Sequence, residues 1–211
     1  PLAAPYYEDC ISWGCIGART SASAPHRQMA ALLQMPMGMK NAVSGDLSVA
    51  IQGVYAASQP QTVFALNAQG NPSLLYTEGN PYVHLVLRGG GGGPNHTPHH
   101  IQDAKEKLSK LGLPIALVVD CAHDNADKLA ERQIPVFRQV LAQIQHGNPY
   151  IRGVMFEAHL KEGRQVHVED VQSLEYGLSL TDACVGLDAL LLELQQASFC
   201  SSDKHLCQMR N

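Results

Sequence analysis

Ile115-Ala116-Leu117-Val118-Val119-Asp120-Cys121-Ala122-His123 is the stretch on which the fold turns. Leu117, Val118 and Val119 follow one another without a polar residue between them, so this strand has no wet face and must be buried on both sides. Strands of that kind belong to parallel sheets flanked by helices. A helix-period stretch over residues 127–145 follows, and the same alternation runs outward in both directions. Upstream, strands are expected at 13–18, 37–39 and 83–87, with helices at 25–33, 46–57 and 98–111. Asp46, behind Gly45, stands as the N-cap of the second helix. Downstream come a strand at 151–157 and a helix at 182–196. Residues 62–66 and 73–76, flanking Asn67 to Pro72, read as an inserted β-hairpin.

The pattern is α/β: about five strand–helix units and one hairpin, as in a doubly wound sheet or part of a (β/α)8 barrel. A complete barrel takes about 250 residues. The 211 residues of this chain therefore predict a partial barrel over 1–197, with 198–211 as a frayed tail.

Composition narrows the function. A chain that is 45% hydrophobic and 16% charged can bury enough surface to fold, which excludes disorder. Fifteen Lys+Arg against 19 Asp+Glu, without a basic run, argue against nucleic acid. No apolar run reaches about 18 residues and no signal-like segment opens the chain, so a cytoplasmic protein without a membrane contact is expected. Cys10, Cys15, Cys121, Cys184, Cys200 and Cys207 form no C-x-x-C pair and read as mostly small buried residues, with Cys200 and Cys207 exposed.

In parallel α/β folds ligands bind at the carboxyl ends of the strands. Those ends carry Arg19, Lys40, Arg88, His123 and Glu157, and Asp182 opens the last helix. Arg19, Lys40 and Arg88 suit a small multiply charged anion such as a phosphorylated carboxylate. His123, Glu157 and Asp182 offer one nitrogen and two carboxylates, a set for manganese, iron, cobalt or zinc. Each taken alone has a plainer reading: solvated strand-end charges, a core histidine, an N-cap aspartate. Their recurrence at successive strand ends favours the site. The five glycines Gly89 to Gly93 read as a flexible linker or as a backbone cradle for phosphate, and His96, His99 and His100 as surface residues.

These motifs, in order, resemble those of the class I 3-deoxy-D-arabino-heptulosonate 7-phosphate (DAHP) synthases of the shikimate pathway. The matching stretches include Ser12 to Thr20, His26-Arg27, Gly38 to Asn41, Leu87 to Gly90, Pro94-Asn95, Asp120 to His123, Gly153 to Leu160, Glu162 to Gln165, Tyr176-Gly177 and Thr181 to Cys184. The resemblance implies a (β/α)8 barrel that condenses phosphoenolpyruvate with erythrose 4-phosphate. It assigns phosphoenolpyruvate to Arg19, Lys40, Arg88 and the backbone of Ala18, a catalytic proton to Lys40, and a divalent metal to His123, Glu157 and Asp182. The family's Gly-Pro-Cys-Ser and Lys-Pro-Arg-Thr/Ser motifs, which supply a fourth metal ligand and the erythrose 4-phosphate site, do not occur here. Three expectations stand side by side: the carboxyl-terminal portion of such a synthase, inactive or weak alone; a repurposed half-barrel that self-associates or pairs with a complementary chain; or a different enzyme acting on a phosphoenolpyruvate-like acid.

Overall fold

The computed structural model describes residues 2–208, with side chains through residue 197. Its centre is a five-stranded, all-parallel sheet of β1 (Gly14–Ile16), β2 (Met37–Lys40), β5 (Val83–Leu87), β6 (Leu117–Asp120) and β7 (Ile151–Met155), in that spatial order. The antiparallel hairpin of β3 (Gln61–Leu66) and β4 (Pro72–Thr77) is inserted between β2 and β5, as expected. Each crossover adds its strand on the same side as the last. A doubly wound sheet reverses direction at a switch point; this sheet does not.

Helices α1 (Ala24–Leu32), α2 (Ser48–Ala57), α3 (Pro98–Ser109) and α4 (Gln133–Gln145) connect the strands. Alternate strand residues Met37, Met39, Leu85, Leu87, Leu117 and Val119 join Ala31, Val54, Leu108 and Phe137 of the helices in one buried core. Because successive side chains point to opposite faces, Gly38, Lys40, His84, Val86, Val118 and Asp120 line the other face. The run Leu117 to Asp120 is buried throughout, as its lack of alternation requires. A cleft of about 490 Å³ opens on that second face beside Trp13, His84, Val118, Arg152 and Met155.

Several boundaries differ from the sequence reading. The expected helix over 127–145 begins only at Gln133, after short 3-10 turns at His123–Ala126 and Ala130–Arg132. Asp127 and Lys128 stand at φ +51° and +60°, which a right-handed helix cannot include, and Pro135 is accommodated in the first turn of α4, where its missing N–H is not needed. The last helix, α5 (Leu187–Gln208), begins after a two-residue strand β9 (Val185–Gly186), parallel to β8 (Ala158–His159). Asp182 is therefore a loop residue and not an N-cap. The helical backbone continues through residues assigned to a frayed tail; Cys200, Cys207 and the other side chains from 198 onward lie outside the described residues, as do residues 209–211.

The glycine run is no free linker. Gly90 packs backbone to backbone on Gly45, where an added Cβ would lie 2.1 Å from the Gly45 nitrogen. Gly89, at φ +72°, would drive a Cβ to 2.6 Å from the Asn125 nitrogen, so only glycine fits both the turn and the approach. His96 is a correction as well: it is buried and contacts Gln139 Oε1 at 3.0 Å, whereas His99 is exposed.

Candidate metal and anion site

Lys40, Asp120 and Glu157 stand at or just past the carboxyl ends of β2, β6 and β7. The Asp120 carboxylate is fully buried between them: its Oδ2 lies 2.7 Å from Lys40 Nζ and 2.8 Å from His123 Nδ1. Burial raises the Asp120 pKa, but the His123 contact and the Lys40 charge outweigh that effect and hold it below the ordinary carboxylate value. Asp120 thus remains an anion linking a cation on one strand to an imidazole on the next loop.

His123 adopts φ +49°, uncommon for a side chain of this size, in the 3-10 turn that follows β6. With Nδ1 towards Asp120, its Nε2 lies 3.6 Å from Glu157 Oε1 and 3.8 Å from Asp182 Oδ2. Ligand atoms of His123, Glu157 and Asp182 all fall within 4.8 Å of one another. The donor set fits a borderline divalent ion, and a carboxylate behind the far ring nitrogen is the usual support of a metal-binding histidine. Glu157 has a raised pKa, chiefly through burial and against the opposing charge of His123.

Gln133, buried at the start of α4, brings Glu157 and Asp182 together. Its Oε1 accepts from the Glu157 N–H at 3.0 Å, and its Nε2 donates to the carbonyls of Glu157 and Ala183 at 3.2 Å each. One side chain therefore ties the end of β7 to the loop that carries Asp182.

Arg88 is held through its backbone. Asn41 Oδ1 accepts from the Arg88 N–H at 2.8 Å and Asn95 Oδ1 from the Gly89 N–H at 2.7 Å. Asn41 Nδ2 donates to the Gly89 carbonyl at 2.8 Å, and Asn125 Nδ2 to the carbonyls of Leu87 at 3.1 Å and Asp120 at 2.8 Å. These three buried asparagines bind the ends of β2, β5 and β6 into one frame. The Arg88 guanidinium is itself buried, with Nη1 2.6 Å from Asp124 Oδ2. Arg19 is exposed and makes no ion pair or hydrogen bond among the described residues, and Ala18 is half-buried beside it. Arg27 braces their loop by donating to the carbonyls of Ser21 and Val49, at 2.8 Å each.

The sequence-selected residues thus separate into two groups. His123, Glu157 and Asp182 are brought together, and Lys40 joins them through Asp120. Arg88 pairs with Asp124 instead, and Arg19 makes no ion pair or hydrogen bond to any of them. Asp120, Asp124, Asn125 and Gln133 were not singled out as site residues. The Asp-x-x-His spacing of Asp120 and His123 beyond a buried strand was a usable signal for the first, whereas Gln133 carried none, since its role depends on where a helix lands.

The family model described as the DAHP synthetase I family matches residues 1–192. A Tyr-sensitive phospho-2-dehydro-3-deoxyheptonate aldolase of Escherichia coli (strain K12) is 42% identical over 199 residues, 93% of this chain and 56% of that protein. The Tyr-sensitive protein of Salmonella typhimurium is 41% identical over the same share of each. The chain spans about half the length of these relatives. Among solved structures, the phospho-2-dehydro-3-deoxyheptonate aldolase of Francisella tularensis superposes with a TM-score of 0.86 at 36% identity, over 93% of this chain and 57% of that one. The protein of that name from Thermotoga maritima, at 16% identity and a TM-score of 0.57, shares the fold. Matched along nearly its whole described length, the chain belongs to the DAHP synthetase I family.

Proposed function

We propose that the five parallel strands form the wall of a partial (β/α)8 barrel, and that this wall carries the phosphoenolpyruvate and metal half of a DAHP synthase. One observation supports this above the rest: Asp120 joins Lys40 to His123, so the anion-binding cation and the metal set form one continuous site at the strand ends. Arg88, Lys40 and Arg19, with the backbone of Ala18, would receive the phosphate and carboxylate of phosphoenolpyruvate. His123, Glu157 and Asp182 would hold a divalent ion, which when bound supplies Lewis-acid polarisation of the aldehyde oxygen of erythrose 4-phosphate. Lys40 Nζ would deliver a proton to the aldehyde oxygen of erythrose 4-phosphate as C3 of phosphoenolpyruvate bonds to the aldehyde carbon and its C=O π bond opens. Water then adds at C2 and phosphate leaves. The unpaired Cys10, Cys15, Cys121 and Cys184 accord with a cytoplasmic setting.

The test is to titrate the chain with manganese and with phosphoenolpyruvate, then to follow phosphate release with both substrates. Binding of each ligand with little turnover is the expected result. Absence of both binding events would overturn the reading, and robust turnover would overturn the inference of a partial active site.

A second reading is favoured by the open edges at β1 and β7 and by the cleft on the uncovered face. Such a surface suits self-association or a complementary chain. Sedimentation as a stable monomer with one cooperative melt would count against it.

A further inference from the structure

Resting on the anion-site reading above, we propose that Asp124 is a built-in competitor for Arg88: an internal carboxylate that an incoming phosphorylated acid must displace, and that thereby sets the affinity of the site. Asp124 Oδ2 lies 2.6 Å from Arg88 Nη1, with the two side chains 19% and 6% exposed. Both atoms are buried, and neither makes an aligned hydrogen bond to any described group. Charge holds the pair together, while the directional donors of the guanidinium remain unspent. A phosphate or carboxylate entering in the guanidinium plane gains the aligned, charge-assisted bonds that Asp124 does not make.

The surroundings allow the exchange. The Arg88 backbone is held by Asn41 and, through the adjoining residues, by Asn95 and Asn125, so the stem of the side chain starts from a fixed point. On the other side, Lys128 Nζ lies 3.6 Å from Asp124 Oδ1 and is largely exposed. When a ligand takes Arg88, the Asp124 carboxylate has a second cation ready to receive it. The exchange transfers one ion pair and leaves no buried charge unpaired, which is the condition under which a buried pair can open without a large penalty.

Asp124→Asn keeps the shape and removes the competing charge. It should bind phosphoenolpyruvate and inorganic phosphate about tenfold more tightly or better at equal ionic strength, by isothermal titration, and either anion should raise its melting temperature by more than that of the parent chain. Lys128→Ala, a surface change, should weaken both anions in the parent chain and leave them unaltered in the Asp124→Asn background. Unchanged or weaker binding in Asp124→Asn, with binding still lost in Arg88→Gln, would overturn the competitor role alone. Equal affinity of Arg88→Gln and the parent would overturn the anion site itself, and this role with it. Should Asp124→Asn fail to fold, the Lys128→Ala result decides: no loss of anion affinity there rejects the exchange.

Discussion

Asp120 stands 2.8 Å behind the Nδ1 of His123, on the side of the ring away from Glu157 and Asp182. That placement sets a buried carboxylate against the imidazole of the candidate metal set and, through its 2.7 Å contact with Lys40, joins that imidazole to a strand-end cation.

Replacing Asp120 by Asn keeps the volume and removes the charge. Support carboxylates of this kind typically contribute about 10–100-fold to metal affinity. Manganese binding by Asp120→Asn, followed by paramagnetic resonance of the free ion, is expected to weaken within that range. Unaltered affinity would separate Asp120 from the metal site.

Gln133 acts on the same set from behind, by tying Glu157 to the loop of Asp182. Gln133→Leu retains bulk and apolar packing but leaves the part-buried Glu157 N–H without its acceptor, a cost of up to about 1–3 kcal/mol. A lower urea midpoint should accompany weaker manganese binding, while phosphoenolpyruvate affinity changes little because Arg88 lies in the asparagine frame. Equal loss of both ligands would instead indicate general disorder of the strand ends.

Asn125 predicts a joint loss instead. Asn125→Ala releases the Leu87 and Asp120 carbonyls and the Asn95 N–H together. Destabilisation of about 2–4 kcal/mol is expected from these unpaired buried groups. Both ligands should weaken, since the frame carries Arg88 and His123 alike. A denaturant midpoint within error of the parent would show that the frame is redundant.

The one tryptophan of the chain reports on pH. Trp13 Nε1 donates to His84 Nε2 at 2.9 Å, and His84 Nδ1 faces the Tyr82 carbonyl at 2.9 Å, a pairing that requires the neutral ring. Burial lowers the His84 pKa from 6.5, partly offset by the Tyr82 contact. Between the lowered folded value and 6.5 the unfolded chain binds more protons, so stability rises with pH across that window. The contribution is complete above the unfolded value and is lost as pH falls below it. Urea midpoints measured by Trp13 fluorescence should decline from pH 7 towards pH 5, and His84→Gln should flatten the decline.

Much of this architecture is written locally. The unbroken apolar run Leu117 to Val119 demands a strand buried on both faces, and a parallel sheet follows from it. The hairpin is legible in Asn67 to Pro72, because a turn needs only neighbouring residues. Local pattern also marked Lys40, Arg88, His123 and Glu157 by their position at strand ends. The helix boundaries near Asp127 and Asp182 were not legible, since the positive φ values and the short β9 strand answer to packing against β6 and β7 rather than to propensity.

By itself, then, the amino-acid sequence determined the α/β class, the parallel sheet and the residue types of the site, for these depend on periodicity and on chemistry carried by single side chains. Tertiary structure alone decided the one-directional strand order, the pairing of Arg88 with Asp124, the meeting of His123 with Glu157 and Asp182, and the setting of Asp182 in a loop. Each of those depends on groups far apart in the chain: Lys40 meets Asp120, Arg88 meets Asp124, and Gln133 meets Ala183. Such meetings are settled by how strands stack and where helices dock, and no window of local sequence contains them.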